Sequence, residues 1–320
     1  MSNVVCMGEL LIDFVPTQPG VSLVEAPAFK KAPGGAPANV AVGLARLGAT
    51  AAFMGKVGDD DFGHFLAQTL RQNGVNVAPL RFSGMARTAL AFVSLRADGE
   101  RDFMFYRHPS ADMLFEPSEV DEAAIRAAKI FHYGSISLIS EPSKAATERA
   151  IDLARRHNLL ISYDPNLRLP LWPSSEAAKE GLLAGWQQAQ VIKASDEEIA
   201  FLTGQADLAQ GARRLWHNDL RLVVVTQGRA GCAYFTPETQ GSVSGFEVQT
   251  IDTTGAGDGF VAGLLYQLLN NPALPANIPA LERALRFANA VGALTTTQLG
   301  AIPALPNREV VEELLDQGEK

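Results

Sequence analysis

Short apolar runs that alternate with amphipathic helical segments constrain the fold of this chain more than any other feature. Residues 129–137 (KIFHYGSIS), 159–166 (LLISYDPN) and 221–226 (RLVVVT) have the pattern of buried strands, and helical segments such as 141–157 separate them. Residues 3–15 (NVVCMGELLIDFV) predict a further strand. Apolar strands joined through helices form parallel sheets covered on both faces. The pattern therefore predicts a doubly wound α/β fold with a mainly parallel sheet.

Two segments depart from this alternation. Residues 14–33 are irregular and rich in Pro and Gly, and residues 87–110 contain two alternating β runs around Asp98-Gly99, a pair suited to a tight turn. We expect both segments to form a small antiparallel β lid within one domain that spans residues 1–320. Because ligands bind at the carboxyl ends of strands in open α/β sheets, a lid over that edge is favoured over a functionless extension of the sheet.

Composition excludes several classes of function. The formal net charge of −8 disfavours a nucleic acid or an anionic membrane as partner. The two cysteines lie far apart in sequence, and the five histidines lack the spacing of metal ligands. The sequence contains neither a run of eighteen apolar residues nor a basic N-terminal segment followed by an apolar one. We therefore expect a cytoplasmic protein.

Residues 251–260 (IDTTGAGDGF) place small residues and one acid, Asp258, at the start of a predicted helix. Phe260, Leu264 and Leu268 are spaced as one helical face, so the small residues lie at the helix N-terminus. Free backbone N–H groups and the helix dipole favour an anion there. The residues that let the main chain contact a phosphate are Gly255, Ala256 and Gly257.

The turn combines the two groups that phosphoryl transfer to an alcohol requires, an electrostatic cradle and a carboxylate base. Taken alone, a glycine-rich turn before a helix is more often structural, and Asp258 could simply stabilise the helix dipole. The chain has no GxxxxGK[ST] motif, and GAGDG is not the GxGxxG of dinucleotide folds. P-loop enzymes and nicotinamide enzymes are therefore disfavoured.

Several motifs in order resemble those of one enzyme family. DTTGAGDGFVAG (252–263) resembles the second signature of the ribokinase-like, PfkB-type carbohydrate kinases, and PGGAPANVAVGLARLG (33–48) resembles the first. Four more segments resemble the fructokinase branch, above all the plant type: GELLIDFVP, HPSADM, SYDPNLRLPLW and FANAVGALTTTQLGAIPALP. The resemblance covers essentially the whole chain. It implies a ribokinase-like fold and an ATP- and Mg²⁺-dependent kinase that phosphorylates the 6-hydroxyl of D-fructose.

The resemblance assigns catalytic roles around the small-residue turn. It implies that Asp258 is the general base for the sugar hydroxyl, and that the backbone N–H groups of residues 255–258 form an anion hole for the γ-phosphoryl group. Arg168, which follows the predicted strand 159–164, would neutralise phosphate charge in the transition state. A surface ion pair is the alternative for this arginine.

The sugar site is expected on the first signature and the lid. The resemblance makes Asp13 an acceptor for sugar hydroxyls, the alternative being a loop aspartate turned to solvent. Gly34 and Gly35 would let the backbone approach the sugar, unless they form an ordinary turn, and Asn39 can donate and accept. The remaining candidates for contacting the sugar or its phosphate are Phe103, Arg107 and Asn166. For Phe103 and Arg107, placed on the second lid strand, lid packing and a solvated side chain are the alternatives.

The nucleotide site is expected in the second half of the chain. Residues 225–231 (VTQGRAG) resemble the border of the family's ATP site, and Asn289 matches a position near the adenine. KASDEE (193–198) stands where many relatives carry Asn-x-x-Glu, so Ser195 replaces the Asn, and Glu198 is kept to organise Mg²⁺ through water. The nucleotide candidates are Lys193, Glu198, Thr226, Gly228, Gly231, Gly255, Gly257 and Asn289.

The family often holds a monovalent cation such as K⁺ near the anion hole. The residues that match its ligands by position, mostly through backbone oxygens, are Asp252, Thr254, Thr295, Gly300 and Ala304. Local turn hydrogen bonding is the alternative for Asp252 and Thr254.

Two other functions stay open at this point. The first is a kinase of the same fold for ribose, a nucleoside or an aminoimidazole riboside, because a few pocket side chains decide the acceptor. The second is a kinase-fold regulatory protein without activity, which should have lost the base or the glycines. A homodimer through the lid is also expected, on the strength of the apolar residues Phe92, Phe103 and Phe105.

Overall fold

The computed structural model describes residues 1–18, 20–95 and 101–317, with the backbone alone described at Leu95 and residues 101–103. In chain order the strands are β1 (Val4–Met7), β2 (Leu11–Pro16), β3 (Phe29–Gly34), β4 (Ala51–Gly58), β5 (Leu80–Ser83), β6 (Leu90–Leu95), β7 (Arg101–Tyr106), β8 (Ile130–Gly134), β9 (Leu160–Asp164), β10 (Val191–Ser195), β11 (Leu222–Thr226), β12 (Gly231–Phe235) and β13 (Gln240–Ser244). The α-helices are α1 (Ala36–Arg46), α2 (Asp61–Gln72), α3 (Glu122–Arg126), α4 (Ser143–Arg156), α5 (Ser175–Trp186), α6 (Asp196–Thr203), α7 (Leu208–Arg214), α8 (Ala256–Asn270), α9 (Ile278–Thr295), α10 (Ala301–Ala304) and α11 (Arg308–Gln317).

The main sheet has nine strands in the order β13-β12-β11-β10-β9-β8-β1-β4-β5. Neighbours from β11 to β5 pair in parallel, whereas β12 and β13 continue the sheet antiparallel. The strand order reverses at β1, which lies between β4 and β8, and ligands of doubly wound sheets bind at such a switch point. The predicted doubly wound, mainly parallel sheet is confirmed.

Helices cover both faces of this sheet, and the residues of β1 show how its side chains divide. All four are buried, with Val4 and Cys6 in one hydrophobic cluster and Val5 and Met7 in the other. The first cluster includes residues of α1, α8 and α9, and the second includes residues of α4, α5 and α6. The continuous apolar runs in the sequence therefore reflect burial on both faces.

The single strand predicted for residues 3–15 is wrong, because the chain leaves the main sheet at Gly8 and enters a second, smaller sheet. A Cβ atom on Gly8 would lie 2.6 Å from Pro37 Cγ at the start of α1. The chain can bend away only where such a side chain is missing. β1 thus belongs to the main sheet and β2 to the small sheet.

The small sheet has the order β3-β2-β6-β7. Its outer pairs are antiparallel and its central pair, β2 with β6, is parallel. Residues 14–33 are therefore irregular only between their two strands. The predicted hairpin strands are present as β6 and β7, and the predicted turn at Asp98-Gly99 lies outside the described residues.

Helix α8 packs tightly between α1 and α9 through residues with small side chains. A Cβ atom on Gly43 of α1 would lie 2.6 Å from Ala262 Cβ, and one on Gly263 would lie 2.9 Å from Ala288 Cα of α9. Such close packing leaves no room to shift a helix without disturbing its neighbours. Within the described residues, no helix has both the length and the apolar character that crossing a membrane requires.

Candidate active site

Buried charged groups gather where the N-terminus of α8 faces the carboxyl ends of β9 and β10. The Lys193 ammonium lies 3.1 Å from Asp164 Oδ2, and a Cβ atom on Gly257 would lie 2.9 Å from Lys193 Nζ. Burial lowers the pKa of Lys193, but the carboxylates of Asp164, Glu198 and Asp258 more than offset this effect and raise it overall. A positive charge is therefore fixed beside the first turn of α8.

Asp258 lies in the first turn of α8 and is only 9% exposed. Its Oδ2 atom accepts a hydrogen bond of 2.7 Å from Asn39 Nδ2 of α1. Burial raises the pKa of Asp258 to about 6, against the lowering effects of Asn39, Lys193 and Arg168. A carboxylate with a pKa near neutrality is a better proton acceptor than one at the ordinary value.

Gly255 forms the N-cap of α8 in the left-handed conformation, with φ of 80°. A Cβ atom there would lie 2.6 Å from Ala301 Cβ, so this position requires glycine on two grounds. The Ala256 amide donates to the Thr253 carbonyl at 3.3 Å and is therefore already engaged in the turn. The predicted anion hole accordingly depends on the neighbouring amides at Gly255, Gly257 and Asp258.

The sugar-site candidates Asp13, Gly34 and Gly35 lie together where β2 pairs with β3. A Cβ atom on Gly34 would lie 2.1 Å from Asp13 Oδ2, and one on Gly35, whose φ is 110°, would lie 2.3 Å from the Glu9 carbonyl oxygen. Burial raises the pKa of Asp13 to about 7, with Arg168 opposing and Asp258 reinforcing the shift. The two glycines make room for an acid that shares an electrostatic environment with Asp258.

Asn39 lies between the sugar-site candidates and Asp258 on α8. Its amide nitrogen is used by Asp258, while its Oδ1 atom is buried and has no hydrogen-bond partner among the described residues. A buried oxygen without a donor is costly unless a ligand supplies one. This side chain therefore offers an acceptor to an incoming hydroxyl group beside the base.

Arg107 is placed differently from the sequence expectation. It follows β7 instead of lying on it, is buried, and forms an ion pair with Asp112. Its charge also lowers the pKa of Glu9, which burial raises to about 7. Arg107 thus belongs to a buried charge cluster where the small sheet joins the main body, and the side chain of Phe103 lies outside the described residues.

Arg168 and Asn166 lie in the segment after β9. Arg168 is partly buried, donates to the Leu167 carbonyl at 3.0 Å, and influences both Asp13 and Asp258. Asn166 has φ of 42°, and its backbone amide donates to Asp164 Oδ1 at 3.1 Å. The left-handed turn at Asn166 carries the chain from the strand end towards the position of Arg168.

Sequence reasoning missed two acids at the strand ends, Glu9 and Asp164. Glu9 Oε1 accepts the Ala36 amide at 2.8 Å, at the start of α1, and Asp164 pairs with Lys193. Asp164 ends an apolar run, and Glu9 follows one after a single glycine, so both are charged residues placed where a predicted strand ends. Their position in the sequence could therefore have identified them.

Glu198 and Ser195 form a reciprocal cap at the start of α6. The Ser195 amide donates to Glu198 Oε2 at 2.8 Å, the Glu198 amide donates to Ser195 Oγ at 3.1 Å, and the Leu167 amide donates to Glu198 Oε1 at 2.7 Å. Burial raises the pKa of Glu198, with Lys193 opposing the shift. Serine thus provides a helix cap at the position where the family resemblance leads us to expect asparagine.

The remaining nucleotide candidates lie around the ends of β11 and β13. Thr226 ends β11 and donates to the Ala194 carbonyl at 3.3 Å, and Gly228 and Gly231 have φ of 55° and 102°. A Cβ atom on Gly231 would lie 2.1 Å from the Val243 carbonyl oxygen. Asn289 donates from one nitrogen to the carbonyls of residues 243 and 244, at 3.1 Å each, and so holds the end of β13 against α9.

Three of the cation candidates, Asp252, Thr254 and Gly300, are connected by hydrogen bonds. Asp252 Oδ1 accepts from the amide and hydroxyl of Thr254 at 2.9 and 2.7 Å, and its Oδ2 accepts from the Gly300 amide at 2.8 Å. Thr295 is fully buried and donates to the Val291 carbonyl at 2.8 Å, and Ala304 ends α10. The described part of the chain contains no group of three His, Cys, Asp or Glu side chains suited to a metal.

Comparison with known proteins adds independent findings. The model of the family described as "pfkB family carbohydrate kinase" matches residues 1–308. The chain is 58% identical over 314 residues to "Probable fructokinase-6, chloroplastic" of Arabidopsis thaliana, covering 98% of this chain and 82% of that protein. The crystal structure of a fructokinase with bound ATP from Xylella fastidiosa has a TM-score of 0.92 and 36% identity, covering 99% of both chains. A fructokinase double mutant of Vibrio cholerae O395, solved in fructose, ADP and potassium ion bound form, has a TM-score of 0.89 and 38% identity, covering 98% of both chains.

Proposed function

The chain belongs to the pfkB family of carbohydrate kinases, and we propose that it is a fructokinase, which transfers the γ-phosphoryl group of ATP to the 6-hydroxyl of D-fructose. The products are fructose 6-phosphate and ADP. The observation that carries the proposal is the buried hydrogen bond between Asn39 and Asp258 at the glycine-capped start of α8. The similarity to fructokinases supports fructose as the acceptor.

In the proposed reaction, Asn39 holds Oδ2 of Asp258 and leaves Oδ1 free to face the sugar. The 6-hydroxyl donates its proton to this carboxylate as its oxygen attacks the γ-phosphorus in line, and the bond from phosphorus to the ADP oxygen breaks. Gly255 and Gly257 bring main-chain amides to the phosphoryl oxygens. Lys193 and Arg168 add positive charge on either side, which stabilises the transition state.

The sugar is proposed to lie against Asp13 and the Gly34-Gly35 turn, with the small sheet over it. Asp13 can accept from two hydroxyl groups at once, and Asn39 Oδ1 supplies a further acceptor. The guanidinium of Arg107 is buried in a cluster with Asp112 and Glu9. Arg107 is therefore proposed to affect the sugar site through these two acids. Phe103 and Asn166 stay candidates for covering the sugar.

The residues present are suited to the Mg²⁺ and K⁺ ions that the family resemblance implies. Glu198 accepts two backbone amides, which leaves lone pairs on both of its oxygens for a water bound to Mg²⁺. Mg²⁺ would neutralise charge on the phosphates of ATP. Asp252 holds the loops at Thr254 and Gly300 together, so backbone oxygens there, with those near Thr295 and Ala304, are the proposed ligands of a K⁺ ion.

The nucleotide is proposed to lie along the carboxyl ends of β10 and β11. Thr226, Gly228 and Gly231 would border it, and Asn289 would hold the adjoining end of β13. The cytoplasm stays the proposed compartment, although the Arabidopsis relative is named as chloroplastic.

A rate assay over a panel of acceptors tests the proposed function. ADP release is measured with fructose, ribose, glucose and nucleosides, with and without added potassium, and fructose is expected to give the highest kcat/KM. A higher value with ribose or a nucleoside would identify another acceptor within the family. Absence of turnover with every acceptor in a folded protein would favour a silent regulatory role, which the retained Asp258 and Gly255 argue against.

The rate should fall on the acid side of neutrality. Because the pKa of Asp258 is raised to about 6 in the unliganded protein and the base must be ionised, kcat/KM for fructose is expected to fall by half near pH 6 and to be roughly tenfold lower at pH 5 than at pH 7. The groups that act on this acid are Asn39, Asp164, Lys193, Arg168 and Asp13. Circular dichroism would establish that the fold persists at pH 5, and a rate independent of pH down to 4.5 would contradict the assignment.

We further propose that the enzyme is a homodimer that associates through the small sheet. The Phe92 ring stacks on Phe14, with centroids 4.9 Å apart, and contacts Tyr106 edge to face, with centroids 5.6 Å apart. Met104 and Tyr106 are 42% and 56% exposed. Phe105 packs instead with Leu11, Ala89 and Ala91 in a separate small cluster. Of the two interface phenylalanines whose side chains are described, Phe92 is therefore the one beside exposed apolar surface.

Sedimentation velocity tests the dimer. A Tyr106→Asp variant places a charge in the proposed contact and is expected to raise the dimer dissociation constant at least tenfold. The matched control is Met85→Asp, which adds a charge at an exposed apolar residue outside the small sheet. Monomeric wild-type protein, or equal weakening in both variants, would contradict the proposed interface.

A further inference from the structure

A groove of about 530 Å³ lies at the edge of the main sheet opposite the candidate active site. It is lined where β8 and β9 begin, by the residues just before β10 and β11, and by the C-terminal end of α8. Asp164, Ser195 and Thr226 end their strands at the other edge. The polar residues of the groove are Lys129, Arg155, Asn158, Gln188, Gln190, Asp219 and Arg221.

The groove concentrates positive charge on a chain whose formal net charge is −8. Lys129, Arg155 and Arg221 line it together with a single acid, Asp219, and none of the four forms an ion pair within the described residues. Arg155 donates to the Gln188 carbonyl at 3.2 Å, which leaves the rest of its guanidinium available. With three cations against one acid, the groove carries an excess of positive charge, which attracts an anion.

The groove also has an apolar wall. Leu159 and Leu268 are almost fully buried beneath it, and Leu269 and Pro272 line it further out. A volume of this size suits a small organic ligand, in which an apolar skeleton contacts the wall and a few polar groups fix the orientation. Phosphate groups pair well with arginine, because a guanidinium can donate two parallel hydrogen bonds to them.

We propose that this groove is a second ligand site, which binds a small phosphorylated organic molecule such as a sugar phosphate. The site is connected to the candidate active site by one rigid element, since α8 carries Asp258 in its first turn and Leu268 in its last. Ten residues of α-helix separate the two positions by about 15 Å.

Calorimetric titration of the full chain tests the proposal, with fructose and ADP saturating the active site. Fructose 1,6-bisphosphate is the probe and inorganic phosphate the comparison. We expect the bisphosphate to bind, and an Arg155→Ala/Arg221→Ala variant to bind it at least tenfold more weakly. The matched control is Arg156→Ala, because Arg156 also lies in the last turn of α4 and is exposed, but does not line the groove.

Each result decides the proposal in one direction. Weaker binding in the double variant alone, with an unchanged melting temperature, supports the site. The site is absent if the bisphosphate produces no saturable binding, or if the double variant and the Arg156→Ala control bind it equally. Inorganic phosphate binding as tightly as the bisphosphate would show that the ligand class is wrong, because the apolar wall would contribute nothing. The outcome does not depend on turnover, so it stands apart from the proposed function.

Discussion

An Asp258→Asn variant is expected to lose roughly 10²- to 10⁴-fold in kcat, the usual contribution of a general base. Asparagine keeps an oxygen that can accept from Asn39, but it cannot take the proton of the sugar hydroxyl. The melting temperature at pH 8 should not fall, because burial raises the pKa of Asp258 and an ionised carboxylate there costs stability. ATP affinity, measured by calorimetry, should change little.

Asp61→Asn is the matched control for this variant. Asp61 also lies in the first turn of a helix, α2, but it is exposed. If Asp258 served only to stabilise the helix dipole, both variants would retain activity and lose a similar, small amount of stability. Full turnover by Asp258→Asn would therefore remove the base from the proposed reaction.

A Gly255→Ala variant is expected to lose both stability and ATP-dependent turnover. The left-handed conformation costs alanine about 1–2 kcal/mol, and the added Cβ atom would lie 2.6 Å from Ala301 Cβ, so that overpacking costs about 1–3 kcal/mol more. Relief of the clash must displace the turn that carries the proposed anion hole. Urea unfolding should show the loss of stability, and steady-state kinetics should show kcat/KM for ATP falling at least tenfold.

A Gly204→Ala variant separates the cost of the left-handed conformation from the cost of the contact with Ala301. Gly204 also has a left-handed conformation, with φ of 70°, but no atom lies within 4 Å of the position its Cβ would take. This control should lose only the conformational cost of about 1–2 kcal/mol and keep its activity. Equal losses in both variants would mean that the contact with Ala301 has no role in positioning the turn.

The sequence predicted those features that local chemistry determines. The apolar runs predicted the parallel strands, and the small residues before Phe260 predicted the start of α8, because both patterns follow from burial and helix geometry. The position of Asp258 beside Asn39 was accessible only through the family resemblance, since 219 residues separate the two. Structural elements that depend on one chain segment were therefore predicted best.

Features that depend on pairing between distant segments were missed. The ion pair of Lys193 with Asp164 joins residues 29 positions apart, and no local sequence pattern indicates it. Residues 3–15 were predicted as one strand because an apolar run does not reveal which of two sheets it enters. Arg107 was expected on the second lid strand, yet β7 ends one residue earlier and Arg107 forms a buried ion pair with Asp112.

The glycine and alanine contacts that wedge α8 between its neighbours have a consequence for how this enzyme class can diversify. With Gly43 against Ala262 and Gly263 against Ala288, the helix proposed to bind the phosphate is locked into the scaffold and tolerates little adjustment. The proposed sugar site rests instead on the four-stranded small sheet, which has its own small apolar cluster. Directed evolution towards new sugars should therefore accumulate its productive substitutions in the small sheet, and leave the wedged helix untouched.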